Sequence, residues 1–401
     1  MSVLSGKKIL LGISGGIAAY KSPLIVRLLK SLGAEVKIVM TPSAKDFVTP
    51  LTLSTLSNHP VYSTFTEELY DNPVWNDHVA LGKWADLLLI APATSNTLSA
   101  MVHAKCNNLL IATYLSCTCP VYIAPAMDLD MYAHPANQQN LKELNRIGNK
   151  VLSVGEGFLA SGLHGKGRML EPEEIIRHIS EDLESGLPLY GKKVLITAGP
   201  TYEPIDPVRF IGNHSSGKMG FALAEEARQL GAHVTLISGP TVLVASPDID
   251  RHNVLTAQEM YAIALEYFAE TDIAIAAAAV ADFKPLNVGD QKIKKESGFQ
   301  SIELEKTLDI LAEMGKRKQK QFLLGFALET EDEISNAIKK IKSKNLDAIV
   351  LNSLNEHGAG FSVDSNKVTY IDQNETIIPF ELKSKILVAK DIFSQILTQN
   401  A

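Results

Sequence analysis

Two short stretches, GKKILLGISGG at 6–16 and GKKVLITAGPT at 191–201, constrain this chain more than any other feature. Each is an apolar run of strand length, closed by small residues and followed by a helical pattern. A strand that is apolar on both faces and is joined to the next by a helix belongs in a parallel sheet covered by helices. After the first start the helical pattern runs to about Leu32 and stops at Gly33, and EVKIVMT reads as a second strand. DLLLIAPAT and PVYIAPAM read as further strands. The pattern breaks near Glu184–Pro188 and then restarts. Beyond it, strands are expected at HVTLISG, DIAIAAAAVA, QFLLGFALE and DAIVLN. Helices are expected at Gly217–Leu230, Ala257–Phe268 and Glu331–Lys344, and a β-hairpin around Asp372–Glu375 before a last helix. The expected fold class is therefore α/β, in two domains, 1–186 and 187–401. Each is an open, mostly parallel sheet with helices on both faces. The two starts are too short to count as an internal repeat.

Composition narrows the class of function. A length of 401 residues suits two or three domains, and 46% apolar residues can fill a core in each. A net charge of −7 gives no electrostatic reason to expect nucleic acid or an acidic membrane as partner. The N-terminal apolar run is short and ends in glycines, unlike a signal peptide. The longest apolar stretch, DIAIAAAAVADF, is too short to span a bilayer. Three cysteines, Cys106, Cys117 and Cys119, fit a reducing, cytoplasmic setting better than a disulfide framework. Cys117-Thr118-Cys119 lacks zinc-ribbon spacing.

Open parallel sheets bind ligands at the carboxyl ends of their strands. In the front half those ends carry Ser14-Gly15-Gly16, then Thr41-Pro42-Ser43, then Thr94-Ser95-Asn96-Thr97. Small residues let the backbone approach a phosphate, and a following helix N-terminus favours an anion. Ser14, Gly15, Ser43, Thr94, Asn96 and Thr97 are thus candidates to hold a mononucleotide. The same Ser and Thr residues also suit helix N-caps, a compatible role. The spacing is not GxGxxG, which weakens a dinucleotide reading and with it a generic NAD(P)-dependent oxidoreductase.

ISGGIAAYKSP, His78 within DHVALGKWADLLLIAPAT, PAMDLDMY and GRMLEP together resemble the flavin-dependent cysteine decarboxylases, over essentially residues 1–180. The resemblance implies a flavodoxin-like or Rossmann-like flavoprotein domain holding FMN, with phosphopantothenoylcysteine as substrate and His78 as catalytic base. It implies that the thiol carbon is oxidised to a thioaldehyde before CO2 leaves. An imidazole suits the base role because it titrates near neutral pH. Two positions depart from the family. Asp128 stands where an Asn contacts the substrate carboxyl region, so it must be protonated, rotated or paired with a cation. Ser161 stands where reductive members place an acidic flap cysteine, and serine is a far weaker acid; His164 and Asp128 are candidates to stand in.

In the back half, ITAGPTYEPIDPVRFIGNHSSGKMGFA at 196–222 offers two phosphate-suitable turns, Gly199-Pro200-Thr201 and Asn213–Gly217, the second opening a helix. A P-loop is set aside because Met219 stands where Ser or Thr is required. The segment resembles the phosphopantothenate–cysteine ligases, and the resemblance runs over roughly 190–401. It continues through AAAVADF, expected to end a strand at Asp282, the Lys292–Lys295 loop, GFALET and KNLD. It implies a Rossmann-like ligase domain in which Asp282, Lys292, Phe326, Lys340 and Lys344 bind CTP. Arg209 and Asn213 are implied to hold an acyl-cytidylate. A carboxylate is a poor electrophile, so CMP transfer activates it for attack by the cysteine amine. Lys292 and Mg2+ on the triphosphate would stabilise the charge, and Asn213 could donate to the developing oxyanion. No protein ligand to the metal is identified. Each residue also has a plainer reading: Lys292–Lys295 a solvated charge run, Lys340 and Lys344 an exposed helix face, Phe326 core, Asp282 a helix cap. Their joint order favours the nucleotide site.

The expected function is therefore bifunctional, in coenzyme A biosynthesis: cysteine is joined to 4'-phosphopantothenate with CTP, and the product is decarboxylated with FMN. The alternative is a ligase alone, its front domain altered or regulatory. By resemblance the chain is expected to form a homo-oligomer, with small molecules as its other partners.

Overall fold

The structure, a computed structural model, describes residues 2–69, 72–294, 301–329, 331–353 and 364–399. The chain divides into two compact units, Met1–Glu184 and Ser185–Ala401. The division falls two residues before the boundary read from the sequence. The α/β class with two open, helix-covered sheets is as expected.

In the front unit the sheet strands are β1 (Lys8–Ile13), β2 (Glu35–Met40), β3 (Val61–Tyr62), β4 (Leu87–Ala93), β5 (Val121–Pro125) and β6 (Lys150–Val151). They run parallel in the order β3-β2-β1-β4-β5-β6. Along β1, Ile9, Leu11 and Ile13 enter one core and Leu10 the other. That two-sided burial is why the strand is a continuous apolar run rather than an alternating one. The strand order reverses between β1 and β4, which opens a crevice at their carboxyl ends.

The back unit repeats the scheme with β7 (Lys193–Ala198), β8 (His233–Ser238), β9 (Asp250–Asn253), β10 (Ile273–Ala276), β11 (Phe322–Glu329), β12 (Ala348–Ser353), β13 (Val368–Asp372) and β14 (Ile377–Pro379). The order is β9-β8-β7-β10-β11-β12-β13-β14. The last two strands are antiparallel, from the expected hairpin. Here the order reverses between β7 and β10. The helices Lys218–Gln229, Ala257–Phe268 and Glu333–Ser343 lie where the periodicity places them.

One strand is shorter than expected. β10 stops at Ala276, so Asp282 does not end it. Ala277 N–H donates to the Thr197 carbonyl (3.2 Å) and Ala279 N–H to the Gly199 carbonyl (2.9 Å). Alanine offers a sheet little side-chain packing, and its small size lets the run lie along the Gly199–Thr201 turn. Some short hairpins are not legible as strands in the sequence; Tyr202–Pro204 pairs with Phe210–Gly212. Thr66–Leu69 pairs with Asn72–Trp75, and Phe283–Pro285 pairs with Leu304–Lys306.

Candidate active sites at two strand edges

In the front unit three strand ends converge. A Cβ added to Gly15 would lie 2.4 Å from Ser43 Oγ, and one on Gly16 would lie 3.3 Å from Thr94 Cγ2. Thr41 and Ser43 share a 3.3 Å hydroxyl contact, as do Thr94 and Thr97. Ser14 is buried, and its role is inward. Its hydroxyl donates to the Pro92 carbonyl (2.7 Å) and accepts from Thr94 N–H (3.0 Å), pinning the end of β1 to that of β4. Asn96 is exposed on the first turn of the next helix, Ser95–Val102.

His78 opens the helix His78–Trp84, capped by Asp77, whose carboxylate accepts from Val79 and Ala80 N–H. The imidazole stands edge-on to Phe65 and Trp75, which stack on each other at 5.7 Å. Its Nδ1 is buried and has no hydrogen-bond partner among the described residues. A buried polar nitrogen left unpaired costs about 1–3 kcal/mol, which makes it a marker of function.

Asp128 caps the short helix Leu129–Ala133, accepting from Leu129 N–H at 2.7 Å. The expected flap is a hairpin, Gly155–Phe158 against His164–Arg168. It lies on the Asp128 turn through two glycines. A Cβ on Gly167 would meet the Met127 carbonyl at 2.4 Å, and one on Gly165 would meet Leu129 at 2.8 Å. Ser161 is exposed at the tip, where its Oγ accepts weakly from Leu163 N–H. Strand alternation puts His164 on the face opposite Gly165, and there it packs edge-on against Phe158.

Lys21 was missed in the sequence. Its side chain is 3% exposed, and its ammonium donates to the Met169 carbonyl (3.0 Å) and to Glu171 Oε1 (2.9 Å). The bond from Lys21 holds the Glu171 carboxyl below its ordinary range. Lysine in a helical pattern reads as surface; only the apolar residues around it in IAAYKSP hint otherwise.

In the back unit the two phosphate-suitable turns touch. A Cβ on Gly217, whose φ is +77°, would lie 3.5 Å from the Gly199 backbone. Gly239 closes the third side: its added Cβ would fall 1.6 Å from the Pro200 carbonyl. Only glycine permits that approach. Asn213 Nδ2 donates to the Val280 carbonyl at 2.8 Å, so its amide is tethered two residues before Asp282. Asp282 is exposed and caps no helix. Its carbonyl accepts from Thr307 N–H.

Arg209 is oriented by Asp206, a second residue missed in the sequence. The buried Asp206 carboxylate accepts from Arg209 Nε (2.9 Å), from the backbone N–H of Val208 and Arg209, and from Ile293 N–H (3.2 Å). Arg209 holds that carboxyl well below the usual range. The guanidinium also donates to the Ile293 carbonyl, next to the exposed Lys292. Arg209 and Lys292 are thus brought to one place; Lys295 lies outside the described residues.

Lys340 and Lys344 are not free. They pair with Glu329 (2.6 Å) and Asp309 (2.7 Å). Phe326 is half-buried on β11 and packs against the core. Among the described residues no three His, Cys, Asp or Glu side chains group to hold a metal, and no helix is long and apolar enough to cross a membrane.

Residues 2–184 match the Flavoprotein family, and 189–399 match the DNA/pantothenate metabolism flavoprotein C-terminal domain. The coenzyme A biosynthesis bifunctional protein CoaBC of Bacillus subtilis is 45% identical over 400 residues, 98% of this chain and 97% of its own. This chain belongs to the CoaBC family. The Escherichia coli family member is 39% identical, over 99% of this chain and 98% of its own. A relative from an unknown prokaryotic organism, named a cysteine/cysteine sulfinic acid decarboxylase, is 55% identical over 88% of this chain and 99% of its own.

Proposed function

We propose that the chain catalyses two steps of coenzyme A biosynthesis. Residues 187–401 join cysteine to 4'-phosphopantothenate at the expense of CTP. Residues 1–186 decarboxylate the product to 4'-phosphopantetheine with FMN. The observation that carries this reading is the pair of turns at each sheet's reversal point: Gly15 against Ser43 in front, Gly199 against Gly217 behind. The front cradle combines glycine backbone with Ser and Thr hydroxyls and the back cradle is glycine backbone, and both suit phosphate rather than an apolar ligand.

In the front unit, Gly15, Gly16, Ser43, Thr94 and Thr97 would hold the FMN phosphate. Bound FMN supplies reversible two-electron oxidation of the substrate's thiol carbon. His78 offers an imidazole whose buried Nδ1 has no partner among the described residues and can take a proton. The aromatic pair fixes its ring plane. Ser161 is a poor acid. The flap's glycine face lies on the Asp128 turn and His164 lies on the other face, so Asp128 is the better-placed replacement donor.

In the back unit, Arg209 and Lys292 stand to neutralise charge on the nucleotide and acyl-cytidylate, with Mg2+ arriving on the triphosphate. Asp282 lies on the segment that Asn213 holds. Lys340 and Lys344 reach CTP by exchanging a carboxylate partner for phosphate. We place the enzyme in the cytoplasm as a homo-oligomer. The test is a complete assay with phosphopantothenate, cysteine and CTP. Pyrophosphate, CO2 and phosphopantetheine should appear in equal amounts. Pyrophosphate without CO2 would leave the ligase alone active.

The relative named a cysteine/cysteine sulfinic acid decarboxylase favours a second reading, in which the front unit takes a free amino acid. Offering cysteine, cysteine sulfinate and phosphopantothenoylcysteine separately distinguishes the two by which of them releases CO2.

A further inference from the structure

Glu203, in the strand Tyr202–Pro204, is a carboxylate that the proposed reaction leaves unused. It is only 2% exposed. One oxygen, Oε1, accepts from Ala257 N–H at 2.8 Å, at the start of the helix Ala257–Phe268. The other, Oε2, has no partner among the described residues. Glu203 lines a cavity of about 280 Å³ with Gln258, Lys284, Glu305, Lys306 and Thr307. That is slightly below the roughly 300–1,000 Å³ of pockets for drug-sized ligands.

The charges of this cavity are arranged in a particular way. Lys284 and Glu305 satisfy each other at 3.2 Å. Among the described residues that leaves one Glu203 oxygen and the exposed Lys306 ammonium without a charge partner, one of each sign. A carboxylate on a residue this enclosed is best neutralised by an ammonium group that donates to its open oxygen. An unpaired lysine beside it suits a carboxylate. Together they match a small zwitterion.

The cavity also adjoins the ligase machinery. Thr307 N–H donates to the Asp282 carbonyl at 3.0 Å, and its hydroxyl donates to the Ala281 carbonyl at 2.6 Å. Ala281 N–H donates to Thr201 Oγ1 of the phosphate turn, and Asn213 holds the adjacent Val280 carbonyl.

We infer that this cavity is the α-amino-acid subsite of the ligase, with Glu203 receiving the ammonium group and taking the proton that the nitrogen must lose before it attacks, and Lys306 receiving the carboxylate of the incoming amino acid. The inference rests on the ligase reading above. It makes Glu203 the residue that selects an α-amine, and Lys306 the residue that separates cysteine from cysteamine.

The test uses the full chain. Pyrophosphate release from phosphopantothenate and CTP is measured first, with and without cysteine; if wild type releases none in either case, the ligase reading itself fails. If it does, Glu203→Gln should raise the KM for cysteine at least roughly tenfold and leave the KM for CTP and cysteine-free pyrophosphate release unchanged. Lys306→Met keeps the helix contact of Glu203 intact, and so covers misfolding of the first variant. It should reduce the preference for cysteine over cysteamine severalfold. Unchanged cysteine KM in Glu203→Gln, or unchanged preference in Lys306→Met, overturns the assignment.

Discussion

The Lys21 ammonium and the Glu171 carboxylate stand 2.9 Å apart, and through them the segment after the Gly15-Gly16 turn is tied to the base of the flap. Lys21 is almost fully enclosed, whereas Glu171 is half exposed. Lys21→Met should therefore act mainly by leaving the Met169 carbonyl without its donor, costing about 1–3 kcal/mol. Both tryptophans, Trp75 and Trp84, lie in the front unit, so urea denaturation followed by tryptophan fluorescence reads that unit alone. The pair also sets a pH dependence. A carboxyl held below its unfolded value stabilises fully above about pH 4.3, and its contribution is lost as the pH falls through the folded value. Lys21→Met should flatten the acid limb of the front unit's stability curve.

His78→Asn should separate the two activities. Removing a positioned base costs typically about 10²–10⁴ in rate. With all substrates present, ligation should continue and phosphopantothenoylcysteine should accumulate, which mass spectrometry of the products would reveal. A variant that still forms phosphopantetheine at the wild-type rate would remove His78 from the mechanism.

Gly239→Ala tests the back cradle. The added methyl would fall on the Pro200 carbonyl, so the Gly199-Pro200 turn and Gly239 must separate and the cradle is disturbed. We expect the KM for CTP to rise by about tenfold or more, equivalent to roughly 1.4 kcal/mol of binding, while decarboxylation of supplied phosphopantothenoylcysteine is unaltered. Steady-state kinetics of both reactions on one preparation settles the point.

Parts of this arrangement are legible in the sequence and parts are not, for physical reasons. β1 and β7 declare themselves because strands buried on both faces must be apolar throughout and must end in small residues where the crevice opens. Ala277–Val280 misleads because alanine carries almost no information about strand or turn. Ser14 reads as a ligand contact, but its hydroxyl satisfies the ends of two strands that only the tertiary fold brings together. Lys21 and the partners of Lys340 and Lys344 stay hidden for the same reason, whereas Asp206 lies only three residues from Arg209 and what the sequence hides is its burial. An ion pair such as Lys21–Glu171 joins residues far apart in sequence, and periodicity within one segment says nothing about it. The hairpin Phe283–Pro285 with Leu304–Lys306 is too short for alternation to show.

Asp206 should matter to ligation through Arg209. The guanidinium bond keeps this carboxyl well below its ordinary range. It is thus ionised throughout the physiological range; its contribution is present above about pH 4 and fades only as the pH falls toward the folded value. Asp206→Asn keeps the shape but lacks the charge that orients Arg209 and one of the acceptors that hold Ile293. The kcat for ligation should fall severalfold at neutral pH, and decarboxylation should be untouched. If ligation is unimpaired, Arg209 does not depend on this carboxylate for its position.

Asn213 offers the sharpest separation of activation from amide formation. Its Nδ2 donates to the Val280 carbonyl, and this places the residue beside the segment leading to Asp282. Asn213→Asp removes both donor hydrogens and sets a negative oxygen against that carbonyl, where like partial charges repel. Activation needs the Gly199–Thr201 turn, the backbone of Ser215–Gly217 and Lys292, and the substitution removes none of these. The second step needs a donor for the oxyanion, and an aspartate cannot supply one. A burst of about one pyrophosphate per site should therefore be followed by almost no amide, and the acyl-cytidylate should be recoverable on rapid quenching. Asn213→Ala distinguishes the two roles of the amide. If the residue serves only as a tether, alanine should slow both steps alike and yield no burst.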